Sequence, residues 1–197
     1  MTRYGLDYGG YLSPTQITSA ATPTPPTFVM RYLREIGAGE IATLHAAGID
    51  VGMIFEYPAD VGPGGIPSPL GGYNQGIADG KLALSQLANL SAPDIAVYYT
   101  VDFGPKRAQL KVIAQYFKGI ASVFPFARIG GYADYSTVGY LFNNSLIAFG
   151  WQTVDRSGTN FNSRCVLYQY KLYQQIGPVS TDFNEAFADT FGLWTSA

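Results

Sequence analysis

Ile95-Ala96-Val97-Tyr98-Tyr99-Thr100-Val101-Asp102 runs apolar for most of its length, stops on an acid, and is followed by Pro105 and a helical pattern reaching about Val123. A continuous run rich in β-branched and aromatic residues reads as a strand covered on both faces. Proline suits the first turn of the helix that follows. Working back toward the N-terminus, the same unit recurs. Asp50-Val51-Gly52-Met53-Ile54-Phe55-Glu56 leads through a loop from Pro58 to Gly72 into a helix from Tyr73 to about Leu90, with Ile77, Leu84, Leu87 and Ala88 at helical spacing. Thr27 to Tyr32 precedes a helix over about Gly39–Ala47 that stops at Gly48, and Tyr4-Gly5-Leu6-Asp7-Tyr8 is the first strand. Toward the C-terminus, Ala127–Tyr132 is followed by a helix carrying Val138, Leu141 and Phe142, capped by Asp134 or Ser136. Leu146–Trp151 and Cys165–Tyr170 are the sixth and seventh strands. The eighth spans Gln175-Ile176 through Val179–Asp182, with Glu185–Asp189 as a closing helical turn.

Strands alternating with helices imply a parallel sheet with crossover helices. Eight strands predict an α/β fold of the (β/α)8 barrel type as a single domain over residues 1–197, degenerate because the last crossovers are too short for full helices. An open doubly wound sheet ranks second, since no glycine-rich dinucleotide turn follows the first strand.

Composition narrows the chemistry. Only 13% of the residues are charged, against about 25% in ordinary proteins. Fifteen Tyr and twelve Phe stand in their place. Such a balance suits a barrel filled with rings, and also a carbohydrate site, where sugar CH faces stack on aromatic faces. The net charge of −2 and the absence of a basic stripe argue against nucleic acid. No apolar run approaches the roughly 20 residues of a membrane helix. Met1-Thr2-Arg3-Tyr4 leads straight into strand sequence, so no secretory signal is read. Action on a cell wall then needs another delivery route, such as holin-type release, or a leader removed beforehand. Cys165 and His45 are each the sole residue of their kind, which removes disulfides, Cys/His metal cages and Ser-His-Asp or Cys-His machinery. The expected chemistry uses carboxylates, with no metal and no cofactor, in a monomer.

Those carboxylates fall in a pattern. Asp7, Glu56, Asp102 and Asp182 each close a strand, and in such barrels the site lies on the face where strands end. An acid at a barrel mouth loses hydration unless it is paired or hydrogen-bonded. Helix capping accounts for one such acid more readily than for four. Two carboxylates flanking a glycosidic bond, one protonated and one ionised, are what sugar hydrolysis requires, and crowding raises one pKa toward neutrality. Tyr132, Trp151 and Gln169 end strands five to seven. Trp151 is read equally as the floor of a sugar subsite or as core. Gln152, Gln169 and Asn184 are candidates for sugar hydroxyl or acetamido groups, and Arg31 is a candidate substrate contact or, with greater weight, an ion-pair partner for a rim acid. The Gly62–Gly65 and Gly71-Gly72 stretch lacks the Gly-Lys-Ser/Thr ending of a phosphate loop and is read as a flexible lip.

Leu6-Asp7-Tyr8, Phe28-Val29-Met30-Arg31-Tyr32-Leu33, Ala46-Ala47-Gly48-Ile49 before Phe55-Glu56, and Tyr98 through Val101-Asp102-Phe103 resemble the domain-of-unknown-function 1906 family, a glycoside-hydrolase-like barrel of actinobacterial and phage proteins. Gly130-Gly131-Tyr132, Trp151-Gln152, Leu167-Tyr168-Gln169-Tyr170 and Asp182-Phe183-Asn184 continue the match, from Tyr4 to about Trp194. More distantly the chain is similar to family 25 lysozymes, which cleave peptidoglycan between N-acetylmuramic acid and N-acetylglucosamine. Asp7 and Asp182-Phe183-Asn184 correspond to the lysozymes' acid on strand one and Asp-x-Asn on strand eight. Thr100-Val101-Asp102 departs from their Asp-x-Glu on strand four, and Glu56 is typical of the nearer family. The resemblance implies a peptidoglycan-directed, muramidase-like glycosidase of the phage-lysin kind, with Asp102 as acid/base and Asp182, Asp7 and Glu56 as stabilising or water-orienting partners. A non-catalytic carbohydrate or wall-binding module is the alternative, and a structural phage component a third.

Overall fold

In the computed structural model, which describes residues 2–57 and 67–196, eight strands close into a barrel in chain order. They are β1 (Arg3–Tyr8), β2 (Phe28–Tyr32), β3 (Asp50–Phe55), β4 (Val97–Thr100), β5 (Ile129–Ala133), β6 (Phe149–Thr153), β7 (Leu167–Ile176) and β8 (Val179–Ala186). Strands β1 through β7 run parallel to their neighbours, whereas β8 is antiparallel to both β7 and β1. The α-helices among the described residues are α1 (Pro14–Thr18), α2 (Ala38–Ala46), α3 (Gly72–Asn89), α4 (Arg107–Ala121) and α5 (Tyr135–Asn143). The barrel is therefore closed and α/β, but it is not a regular (β/α)8 repeat. Gly62–Gly65, read as a lip, lies outside the described residues. Gly71 closes a short 3-10 turn and Gly72 opens α3.

The helices end where local chemistry predicts. Ser13 and Gln16 cap α1 reciprocally, and Asp134 accepts from the Thr137 N–H at the start of α5. The eighth strand corrects the sequence reading. Gly177 adopts φ 59°, and Ile176 pairs with Val179 across it, so Gly177-Pro178 is a two-residue hairpin turn rather than the middle of a strand. The strand after it returns antiparallel and runs to Ala186, and no helical turn forms over Glu185–Asp189. Uncovered by helices, β7 alternates half-buried and exposed positions toward its end, whereas β3 is buried throughout.

Strand geometry sends alternate side chains inward. Phe28, Met30, Ile54, Ala96, Tyr98, Tyr132, Trp151, Leu167, Ala186 and Phe191 pack as one cluster inside the barrel, while Leu6, Val29, Val51, Met53, Val97, Tyr99 and Val101 face the helices. Glycines make room for these rings. A Cβ on Gly130 would stand 2.5 Å from the Tyr98 ring, closer than packed atoms approach. The C-terminal segment closes the bottom: Tyr98 donates to the Phe191 carbonyl at 2.8 Å, and Val51 and Trp194 exchange backbone hydrogen bonds of 2.9 and 2.8 Å. With its floor filled and plugged, the barrel is open at the end where the parallel strands finish.

Outside, α3 and α4 cross with backbone against backbone. A methyl on Gly76 would land on the Tyr116 carbonyl, and one on Gly119 on the Tyr73 carbonyl. Alanine improves intrinsic helix propensity by about 1 kcal/mol, but overpacking costs about 1–3 kcal/mol, and backbone cannot swing aside as a side-chain tip can. Gly76→Ala is therefore expected to lower the melting temperature by several degrees. An unchanged or higher melting point would show that the helices separate freely.

Candidate functional site

The mouth of the barrel is acidic. Asp7, Glu56, Asp102 and Asp182 line one small cavity together with Tyr32, Thr100, Tyr132, Trp151 and Gln169. Asp182 reaches this rim because β8 is reversed. It lies near the start of an antiparallel strand, directly paired with Asp7 near the end of β1. The sequence reading put it at the right end of the barrel by assuming a parallel strand that finished there.

An amide network holds the first pair. Gln169 Nε2 donates to Asp7 Oδ2 at 2.9 Å and to Asp182 Oδ2 at 3.1 Å. Sharing one nitrogen caps the separation of these oxygens at about 6 Å. The Gln169 amide has a fixed sense, because its Oε1 accepts from Tyr132 Oη at 2.8 Å and Thr153 Oγ1 at 2.7 Å, leaving its NH2 toward the acids. Asn184 Nδ2 also donates to Asp7 Oδ2 at 2.7 Å, and Asn184 Oδ1 accepts from Trp151 Nε1 at 2.9 Å. Gln169, Asn184 and Trp151 are buried. All three sit beneath the acids and orient them, where the sequence reading had Gln169 and Asn184 meeting sugar. Trp151 packs edge-on against Tyr132, 4.7 Å between centroids, so of its two readings packing prevails. Gln152 turns to the β6–β7 loop instead, donating to the Asn160 carbonyl at 2.7 Å.

Arg31 belongs elsewhere. It is buried, pairs with Glu40 on α2 at 2.8 Å, and donates to the carbonyls of Tyr8 and Gly10. Facing outward on β2, it ties that strand to the β1 loop and to α2, and its ion-pair partner is Glu40 rather than a rim acid.

Burial and mutual repulsion dictate the charges. Asp7, only 6% exposed, is pushed up to about 8, first by desolvation and then by Asp182, with the amide donors offsetting part of the rise. Asp182 is also raised, chiefly by burial, while the Tyr173 N–H, 2.6 Å from its Oδ1, favours the ionised form. The pair thus titrates as a unit, with Asp7 its more enclosed member. Glu56 is pushed up to about 7 by burial and by Asp102, against the opposing effects of Arg34 and a hydrogen bond with Thr100. Asp102 differs: its side chain is 49% exposed and meets Arg156 at 3.0 Å.

A second, larger cavity opens beside the first and shares Glu56, Thr100 and Asp102 with it, its far wall made by Phe55, Tyr57 and Phe103 among others. Glu56 therefore stands on the boundary between two spaces. Thr100, Thr153, Arg156 and Tyr173 escaped the sequence reading. Thr100 was legible, two residues before Asp102 on the same strand face; Arg156 and Tyr173 arrive through a loop and a bulge, which carry no periodicity. No group of three or more His, Cys, Asp or Glu among the described residues is arranged to hold a metal ion. No helix among them is long and apolar enough to cross a membrane.

Known proteins share the fold. Residues 13–188 match the family described as Rv2525c-like, glycoside hydrolase-like domain. A Mycobacterium tuberculosis protein named "Putative peptidoglycan hydrolase Rv2525c" is 26% identical over 165 residues, covering 82% of this chain and 67% of that protein. The crystal structure of the Tat-secreted protein Rv2525c of Mycobacterium tuberculosis in complex with L-tartrate superposes with a TM-score of 0.88 at 24% identity, over 98% of this chain and 99% of that one. The CTP1L endolysin shares the fold more loosely, with a TM-score of 0.58 at 8% identity over 95% of this chain and 67% of that one.

The raised carboxyls make stability depend on pH. In the unfolded chain an aspartate titrates near 3.9, whereas folded Asp7 titrates at about 8. The protonated carboxyl's contribution is complete below the unfolded value and is lost as pH rises toward 8. Asp7→Asn keeps the shape and stays neutral, so it is expected to melt a few degrees above the wild type at pH 8 and close to it at pH 4. Equal shifts at both pH values would show that Asp7 is ionised throughout.

Proposed function

This chain belongs to the Rv2525c-like, glycoside hydrolase-like domain family, and we propose that it hydrolyses glycosidic bonds in the glycan strands of peptidoglycan or a related wall polysaccharide. The observation that carries this reading is the convergence of four carboxyls on one mouth: Asp7 and Asp182, joined through the Gln169 amide, with Asp102 and with Glu56, which burial pushes up to about 7. Enzymes that cleave sugars separate the pKa values of two carboxyls in this way. The name of the mycobacterial relative supports peptidoglycan as the polymer, and the endolysin's fold is in keeping with it. Action outside the membrane accords with the Tat secretion of the solved relative.

Glu56 is the proton donor in this scheme, the role sequence reasoning gave to Asp102. It borders both cavities, so a sugar on either side places the bridging oxygen at its carboxyl. Protonated Glu56 gives its proton to that oxygen as the bond to the anomeric carbon breaks. The ionised Asp182 carboxylate stabilises the positive charge that develops on the ring. Asp7, neutral, keeps Gln169 and Asn184 aligned. Water then adds to the anomeric carbon and its proton returns to Glu56, which restores the starting state. Asp102, exposed and bound to Arg156, shapes the field that raises Glu56.

Reducing-end release from purified peptidoglycan tests the assignment. Glu56→Gln is expected to lose about 10²–10⁴-fold, the usual worth of general acid catalysis, and Asp102→Asn less than about 10-fold. Wild-type activity should fall as pH rises past about 7, where Glu56 gives up its proton. An Asp102→Asn loss as deep as that of Glu56→Gln would return the donor role to Asp102. A wild type that binds wall without releasing reducing ends would make the barrel a binding module.

A further inference from the structure

Backbone strain in this barrel gathers at its acids. Among the described residues four non-glycine positions have positive φ: Ser91, Ser145, Arg156 and Tyr173. The two serines follow the ends of α3 and α5, where a left-handed residue is an ordinary helix stop. Arg156 (φ 57°) and Tyr173 (φ 57°) are bulky, and each touches a rim acid: Arg156 bonds Asp102, and the Tyr173 N–H bonds Asp182. A bulky side chain in this region is strained and persists where surrounding structure demands it.

Tyr173 sits in a bulge. Lys171 pairs with Phe183 and Gln174 with Thr181, so Leu172 and Tyr173 together stand opposite Asp182. The extra residue turns an N–H onto the carboxylate, which explains the backbone. It does not explain the tyrosine, since glycine reaches the same φ without strain. Nor does packing, because the residue is 74% exposed, the most open of the large hydrophobic residues on the described surface. A strained position that retains a large ring in water, beside a carboxylate of the cleft, has its ring for something outside the chain.

We propose that the Tyr173 ring is a stacking platform for a sugar unit of the substrate, on the Asp182 side of the mouth. The inference rests on the glycan reading of the site and adds to it a contact on the rim facing away from the Phe55–Phe103 cavity. The bulge serves both ends: its N–H anchors Asp182, and its side chain carries the ring at the lip. Sugar above that ring keeps its anomeric carbon within reach of Asp182.

Tyr173→Gly separates the roles, since it keeps the N–H, relaxes the backbone and removes the ring. Soluble strands of alternating N-acetylglucosamine and N-acetylmuramic acid are the probe, read by calorimetric binding and by turnover. Tyr173→Gly is expected to weaken binding and raise KM about 10-fold, the scale of one aromatic contact. The same variant should show its loss in KM more than in kcat and melt no lower than the wild type. Tyr173→Phe should restore wild-type binding. Glycan affinity unaltered in Tyr173→Gly, or not restored by phenylalanine, overturns the platform while leaving the glycan reading intact. A wild type that binds no such strand overturns both.

Discussion

Two carboxylates placed side by side in a barrel, on paired residues of neighbouring strands, repel each other and lose their hydration together. Asp7 and Asp182 stand in that relation, and much of the upper barrel is arranged to tolerate it. Gln169 bridges them, Asn184 supports Asp7, and the Tyr173 N–H takes the far oxygen of Asp182. A buried charge without such partners would cost several kcal/mol or simply take up a proton. Here the outcome is mixed: hydrogen bonds enough to seat one negative charge, burial enough to refuse a second.

The amides work because their own far ends are held. Tyr132 and Thr153 fix the sense of Gln169, and the indole of Trp151 fixes Asn184. These groups in turn stand on a floor of rings, Tyr98 and Phe28 with Phe191 beneath. Fit inside the barrel is therefore coupled to protonation at its mouth. Glycines at 5, 52 and 130 face large neighbours across the interior, so the rings have little freedom to shift and the amides above them little freedom to turn. Preorganised donors of this kind stabilise charge without rearranging during reaction.

Reversal of β8 is the topological counterpart. A parallel eighth strand would need a crossover helix, and fewer than a dozen residues separate the sixth strand's successor from the end of the sheet. A two-residue hairpin closes the barrel with what is available, and it carries an unshielded extension of β7 and β8 at the rim. The bulge that anchors Asp182 belongs to that extension. Economy of chain and completion of the site thus come from one feature.

The sequence by itself determined the first seven strands, the α/β barrel and the four acids at one rim, because buried parallel strands announce themselves by unbroken apolar runs and an acid at the end of such a run is conspicuous. It also identified the residue types around the site, including Tyr132, Trp151, Gln169 and Asn184. What those residues touch was not legible. Whether an amide meets a sugar or an aspartate depends on packing between strands far apart in the chain, as Gln169 and Asp7 are. The direction of β8 hung on the φ of Gly177, a local torsion with no periodic signature, and Arg31 was misplaced because a charged residue on a strand gives no sign of which face a helix covers. The tertiary structure alone decided how the carboxyls are shifted, since pKa shifts follow burial and neighbouring charge, and these exist only once the chain is folded.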